Sequence, residues 1–325
     1  MIVLGIETSC DDTSVAIVEN GTKVLSSIVS SQIKVHSPFG GVVPELASRH
    51  HLQNIRYVYE EALKLAGITI NHIDLIGVTV GPGLLGALLV GLSFAKGVSF
   101  VSGIPFIPLN HIECHIQSVF IEHGEKIRLP ALAFVVSGGH THLFYLNEKR
   151  EIKLLAKTRD DAVGETYDKF ARMLDLGYPG GPLIDRFARE GEPSYKLPIP
   201  KMSDGSDDMS FSGIKTFLLR TIQKEGEDLN IKDLAASFQK TIADILIDKV
   251  KKFERDYTVK SILLTGGVSA NSYLRKRFKE EFEDRFFVPS PEFSTDNAAM
   301  VASLAYHKRE EKGEFFQECF SALNF

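Results

Sequence analysis

The residues best suited to chemistry in this sequence are two histidines at i and i+4, His111 and His115, in the stretch Asn110-His111-Ile112-Glu113-Cys114-His115. A helix beginning near Leu109 or Asn110 projects both imidazoles from one face, where they can share a metal ion that still needs a further ligand. Zinc proteases place a catalytic Glu directly after the first His. Here Glu113 comes two positions after His111, about 200° around a helix, so it points away from anything the pair holds. The spacing therefore argues against peptide hydrolysis. Without a third ligand the pair also reads as packed or solvated helix-face side chains. Asp296, in Ser294-Thr295-Asp296-Asn297-Ala298, is either that ligand or the N-cap of a helix running to about Arg309.

A second set of residues suits phosphate chemistry. A strand over Lys260 to Thr265 ends in Gly266-Gly267-Val268-Ser269-Ala270-Asn271, which opens a helix near Ser272. Another, Ala131 to Val136, turns through Ser137-Gly138-Gly139-His140-Thr141. Glycines let backbone N–H groups approach a phosphate, and a helix N-terminus adds a favourable dipole. Between strands Ile2 to Ile6 and Ser14 to Val18, the turn Glu7-Thr8-Ser9-Cys10-Asp11-Asp12-Thr13 offers amides and hydroxyls to a phosphate or its metal, although an ordinary hairpin turn looks the same. Asp168, in a helix start over Asp160 to Lys169, is placed to bind ribose hydroxyls. Tyr178-Pro179-Gly180-Gly181-Pro182 leads into a helix carrying Asp185, and Ser210-Phe211-Ser212-Gly213 opens another. Read alone, these acids are equally helix caps or surface charge.

The elements that must position these groups form two similar halves. Lys23 to Val29 completes a meander with the first two strands. A long helix follows from Pro44 to about Ala66, whose Arg49, His50 and His51 read as a solvated or interfacial face. Leu75 to Val80 is a buried strand, and an Ala/Leu/Gly helix runs from the glycine turn to about Val101. In the second half, Ala131 to Val136, His142 to Leu146 and Glu151 to Lys157 repeat the opening meander. Two strand-and-glycine-turn units in two like halves are what a nucleotide cleft requires. A long amphipathic helix, Asp233 to about Arg255, ends in Lys249, Lys251, Lys252 and Arg255; with Arg275, Lys276, Arg277 and Lys279 these are either solvated faces or RNA contacts.

Composition bounds the answer. A chain of 325 residues, 44% hydrophobic with 26 glycines, suits a soluble α/β protein of two lobes. A net charge of −5 excludes general attraction to nucleic acid, so any RNA contact must be local or assisted. Cys10, Cys114 and Cys319 cannot build a disulfide framework, which fits a reducing cytosol. No basic-then-apolar leader opens the chain, and the longest uncharged stretch, Leu75 to Ala95, is broken by Gly81-Pro82-Gly83. A cytoplasmic protein without a membrane span is expected.

Taken together, Gly5-Ile6-Glu7-Thr8-Ser9-Cys10-Asp11-Asp12-Thr13, Asn110 to His115, Val136 to Thr141, Tyr178 to Pro182, Phe211-Ser212-Gly213 and Gly266 to Asn271 resemble the TsaD family of tRNA threonylcarbamoyltransferases, in order and over nearly the whole chain. The resemblance implies the two-lobed α/β fold of actin, Hsp70 chaperones and sugar kinases (the ASKHA fold), made of duplicated RNase H-like domains with a nucleotide cleft between them. The lobes are expected at 1–108 and 109–325, with a helical insertion at about 160–230 and a C-terminal helix that packs back on the first lobe. It implies transfer of the threonylcarbamoyl group from threonylcarbamoyl-AMP to N6 of adenosine 37 in tRNAs reading codons that begin with A. His111, His115 and Asp296 match the family's ligands for one divalent ion per subunit, Fe2+ or Zn2+. Val135, Val136, Ser137, Gly138, Gly139, Asp168, Gly181, Asp185 and Asn271, with Gly266 and Gly267, match positions for the adenylate, or for ATP, ADP or AMP, with or without Mg2+. Implied partners are tRNA, a TsaB-like paralogue in a heterodimer and a TsaE-like ATPase, or a homodimer when the protein is alone. Cys114 departs from the family, which has Gly there; its thiol either reaches the metal or packs as a neutral group. No general base is expected, because the acyl phosphate is already activated. A metalloprotease and a chaperone- or kinase-like ATPase are the rival readings.

Overall fold

The computed structural model describes residues 1–200, 202, 204–311, 313–314 and 316–322. The strands are β1 (Ile2–Glu7), β2 (Asp12–Glu19), β3 (Lys23–Ser31), β4 (Leu75–Gly81), β5 (Phe106–Asn110), β6 (Ala131–Val136), β7 (Thr141–Leu146), β8 (Ile152–Lys157), β9 (Ser261–Thr265) and β10 (Phe286–Phe287). The helices are α1 (Ile33–His36), α2 (Pro44–Ala66), α3 (Leu85–Ser102), α4 (His111–His123), α5 (Val163–Met173), α6 (Gly180–Ala188), α7 (Ser212–Glu225), α8 (Ile231–Asp256), α9 (Ser272–Phe282), α10 (Pro291–Ser294) and α11 (Ala298–His307).

Two five-stranded sheets share one plan. The first runs β3-β2-β1-β4-β5 and the second, read from its other edge, β8-β7-β6-β9-β10. In each, three strands form an antiparallel meander and two more join in parallel. The repeated meander expected from the sequence is thus present, and the fold is the α/β fold of the actin and sugar-kinase class.

The chain divides into a unit of 1–125 with 292–325 and a unit of 126–291. This differs from the division expected at 108/109. The reason is local: α4 follows β5 without a break and buries Cys114 and Ile121 with Val3, Ala16 and Leu109 in one apolar cluster of the first unit. The expected insertion at about 160–230 contains α5, α6 and α7, with no regular helix or strand among the described residues of 189–211.

In the first unit both faces of the sheet are covered, which explains why β1 and β4 read as unbroken apolar runs. On one face Leu4, Ile6, Val15 and Ile17 pack with Ile55, Val58 and Ala62 of α2 and Leu92 and Ala95 of α3. On the other, Val3, Ala16, Val18 and Leu75 meet α11 through Val301, Ala302 and Ala305. That last contact is unusually close. A Cβ added at Gly5 would collide with Ala298 O and sit 2.8 Å from Ala302 N, and one at Gly77 would sit 2.7 Å from Ala305 Cβ. Real Cβ atoms essentially never come within 3.0 Å of another heavy atom, so glycine on the strand and alanine on the helix are both required. Three polar ties hold α11 in place: Ala298 N donates to Ser14 Oγ (2.9 Å), Ser303 Oγ to Gly21 O (2.6 Å) and Gln117 Nε2 to Ser303 Oγ (3.0 Å).

In the second unit, Leu132, Phe134, Val136 and Leu143 pack with Tyr167 and Phe170 of α5, Phe238, Ile242 and Leu246 of α8, and Leu274 and Phe278 of α9. Gly5→Ala is expected to lower stability by at least about 1–3 kcal/mol, the usual cost of overpacking, because the obstacle is helix backbone. Denaturant unfolding of the purified variant checks this.

Candidate active site

Asn110 sets the start of α4: its Oδ1 accepts from Ile112 N (2.8 Å) and Glu113 N (3.3 Å), making it the N-cap. His111 and His115 then fall on one buried face, their rings 4.5 Å apart between centroids and steeply inclined at 77°. Asp296 arrives from just before α11. Its Oδ1 lies 3.1 Å from His115 Nε2 and 3.7 Å from His111 Nε2. Of its two readings, the N-cap belongs to its neighbour, for Asn297 Oδ1 accepts from Met300 N at 3.1 Å. The three ligand atoms lie within 4.8 Å of one another. Ligands bound to one ion at about 2.0–2.2 Å stand roughly 3–4 Å apart, so this group could hold a metal ion.

The electrostatics separate the two imidazoles. Burial pulls His111 down, but the Glu7 and Asp296 carboxylates outweigh it and push this group up to about 9. His115 is held below its ordinary range by burial and by His111 beside it. Glu113 turns away, as its spacing indicates, and pairs with Lys308 at 2.7 Å. Cys114 is fully buried in the apolar cluster, where burial pushes its thiol well up, so it packs as a neutral group.

In the second unit the glycine turns are stacked by close backbone approach. Gly266, at φ +88°, lies against Val136 O, and Gly164 of α5 lies against Ser137 O and Gly138 Cα. Ser137 Oγ accepts from His140 N at 3.1 Å, closing the turn. Val135 and Val136 have fully buried side chains, leaving backbone as the part with which they could meet a ligand. Asp168 Oδ1 accepts from Gly180 N (2.7 Å), and both oxygens of Asp185 accept from Ser272 Oγ (2.9 Å). Asn271 caps α9 through Leu274 N (3.0 Å) and donates its amide to Gln239. These residues are therefore linked into one region, and the three polar ones hold the helix starts as well. At Gly138, Gly139, Gly181 and Gly267 an added Cβ would meet nothing within 4 Å, and the backbone does not adopt positive φ. Neither packing nor conformation requires glycine there. Open space at the backbone is what close approach of a ligand needs.

Most of the two basic runs is engaged within the protein. Lys252 pairs with Asp207, Lys251 with Glu281 (2.5 Å) and Arg277 with Asp244 (2.9 Å), while Arg275 donates to Ser269 O and Pro289 O (both 2.7 Å).

Residues 23–303 match the family described as TsaD: tRNA N6-adenosine threonylcarbamoyltransferase. A protein of that name from Thermosipho africanus is 51% identical over 319 residues, covering 96% of this chain and 96% of its own. Its namesake from Caldicellulosiruptor bescii is 49% identical over 318 residues, covering 96% and 94%. The chain belongs to the TsaD family. Among solved structures, full-length HypF in its phosphate- and nucleotide-bound form superposes with a TM-score of 0.62 at 15% identity, covering 95% of this chain and 56% of its own. Component A of the Acidaminococcus fermentans (R)-2-hydroxyglutaryl-CoA dehydratase gives 0.59 at 14%, covering 96% and 100%. Both likenesses concern the fold.

In this TsaD chain two site residues escaped sequence reasoning. Glu7, at the end of β1, is fully buried and reaches His111 Nδ1 at 3.2 Å. An acid ending an apolar strand was the available signal. His51, read as part of a solvated or interfacial face, is instead fully buried. Its Nδ1 meets Thr13 Oγ1 at 2.7 Å and its Nε2 meets Cys10 O at 2.9 Å, tying α2 to the β1–β2 turn. The helical period places it beside Ala47, Ile55 and Val58 on the buried stripe, and its polarity hid this.

His142 on β7 supplies a pH test. Burial, with Lys157 adding to it, pushes the imidazole from 6.5 down to about 4. A depressed histidine makes its contribution above the unfolded value and loses it as pH falls through the folded one. Stability measured by denaturant unfolding should therefore fall between about pH 6.5 and 4, and His142→Phe should flatten that slope.

Proposed function

We propose that this chain transfers the threonylcarbamoyl group of threonylcarbamoyl-AMP to N6 of adenosine 37 in tRNAs reading codons that begin with A. The amine nitrogen bonds to the carbamoyl carbon, the bond from that carbon to the phosphate oxygen breaks, AMP leaves and the nitrogen releases a proton. The observation that carries the reading is the convergence of His111, His115 and Asp296 in a chain of this family.

The anhydride is activated before it binds, so the protein's task is to position reactants and to meet developing negative charge. The N–H groups of Gly138 and Gly139 serve the phosphate, Ser137 N–H being spent on His140 O (2.8 Å), and the open glycines Gly181 and Gly267 admit the nucleoside against the backbone. Asp168, Asp185 and Asn271 hold the starts of α6 and α9 and offer the polar edge for ribose and base. His111 Nε2, His115 Nε2 and an Asp296 oxygen would hold Fe2+ or Zn2+. Such an ion supplies Lewis acidity toward a carbonyl or phosphoryl oxygen. Adenosine must leave its stack to reach the site.

An acidic chain whose basic runs are largely engaged fits assisted tRNA binding, with a TsaB-like paralogue and a TsaE-like ATPase as partners in the cytoplasm. The surface best suited to the paralogue is the outer side of α2 and α3, where Leu52, Leu85, Leu89 and Phe100 are exposed. Exposed apolar side chains grouped on packed helices mark association surfaces. Leu89→Glu should abolish co-elution with the paralogue; unchanged co-elution would place the interface elsewhere.

The deciding experiment supplies threonylcarbamoyl-AMP, tRNA and both partners and measures modified adenosine by mass spectrometry. His111→Ala and Asp296→Ala should lower the rate by more than the roughly 10–100-fold that losing an outer-shell partner of a ligand costs. Gly267→Ala should keep its melting temperature while weakening adenylate binding. Undiminished modification in the first two variants would reject the metal assignment, and tRNA-independent ATP turnover without modification would favour the kinase-like ATPase.

A further inference from the structure

The metal ligand His111 has two faces, and only one is explained by the ion. Its Nε2 is directed toward Asp296 Oδ1 (3.7 Å), the side on which His115 Nε2 also lies. Its Nδ1 meets Glu7 Oε2 at 3.2 Å and Ser9 Oγ at 3.0 Å. Building on the metal site proposed above, we propose that Glu7 is a positioning residue: its carboxylate holds the His111 proton on Nδ1 and thereby commits Nε2 to the metal.

A neutral imidazole carries one donor and one acceptor nitrogen, and the partner of one decides the role of the other. Ser9 Oγ alone leaves the choice open, because a hydroxyl both donates and accepts. An ionised carboxylate only accepts, so Nδ1 must carry the proton. Glu7 has little freedom to do otherwise. Its Oε1 accepts Ser9 N–H at 2.6 Å, and its Oε2 accepts Thr79 Oγ1–H at 2.6 Å. With His111 that makes three donors on a fully buried carboxylate, enough to keep the anion in place of water. Thr79 belongs to β4, the parallel neighbour of β1, so both strand ends aim the group at α4. The strength of the ligand is thus set at the end of β1, two strands across the sheet from β5, which leads into the helix that carries the histidines.

The same donors predict what an amide would do. In Glu7→Gln one position must still accept from Ser9 N, which leaves the NH2 facing Thr79 and His111 Nδ1. A donor there turns Nδ1 into the acceptor and puts the proton on Nε2, where the metal binds. The flipped amide instead opposes its NH2 to Ser9 N–H.

The test uses the full chain and zinc. The zinc dissociation constant, from competition with a chelator, should rise 10- to 100-fold in Glu7→Gln, the usual loss when such a carboxylate is removed, with the melting temperature of the metal-free protein reported beside it. Imidazole 15N spectra of the zinc-loaded wild type should show His111 protonated on Nδ1 and metallated on Nε2, with the Nδ1–H resonance shifted by its carboxylate partner and that shift lost in Glu7→Gln, a readout that a merely structural Glu7 would not move. Equal zinc affinity in a folded Glu7→Gln, or metal on His111 Nδ1, overturns the proposal. A wild type that takes up no zinc at His111 and His115 overturns the metal site itself.

Discussion

The approach of α11 to β1 and β4 is the constraint from which the first unit's site follows. Bare backbone at Gly5 and Gly77 lets a helix of alanines and valine settle on the sheet at a depth no side chain would allow. Asp296 precedes that helix by two residues, so the depth of the helix sets the height of the carboxylate over His115. Ser14 holds the helix start and Glu113, through Lys308, its far end. Glu113, the one acid between the two histidines, is thus a structural tie.

Near that contact the buried polar groups form two partnered sets. Glu7 is met by Ser9, Thr79 and His111, and His51 by Thr13 and Cys10. Burying a charge without partners is prohibitive, and burying it with several fixed donors makes a rigid site. Rigidity is what positioning chemistry requires, since an activated acyl group needs alignment more than it needs a strong base.

The two sheets show one topology used in two ways. In the first, the turn between the antiparallel strands is rich in carboxyl and hydroxyl groups, and side chains point at the candidate metal centre. In the second, the matching turn is Ser137-Gly138-Gly139, and bare backbone beside Gly266 and Gly267 takes the place of those side chains. Side chains suit a small cation, whereas backbone N–H groups suit a phosphate.

Local rules made much of this legible in one dimension. Apolar runs, glycine turns and the i, i+4 spacing gave the strands, the repeated meander, the start of α4 and the outward aim of Glu113, because each depends on neighbours within a few residues. His51 and Glu7 were misjudged or missed, since whether a polar side chain is solvated or buried depends on what packs over it. Asp296 could be read as ligand or cap; the choice required α11 to dock on a sheet formed almost 300 residues earlier, with Asn297 taking the cap. The boundary expected at 108/109 likewise lies at 125/126, because α4 packs its Cys114 and Ile121 into the core of the first unit. Composition and spacing determined which residues were available for chemistry. Only tertiary packing decided which of them meet, because burial and long-range contact belong to the folded chain and not to any stretch of it.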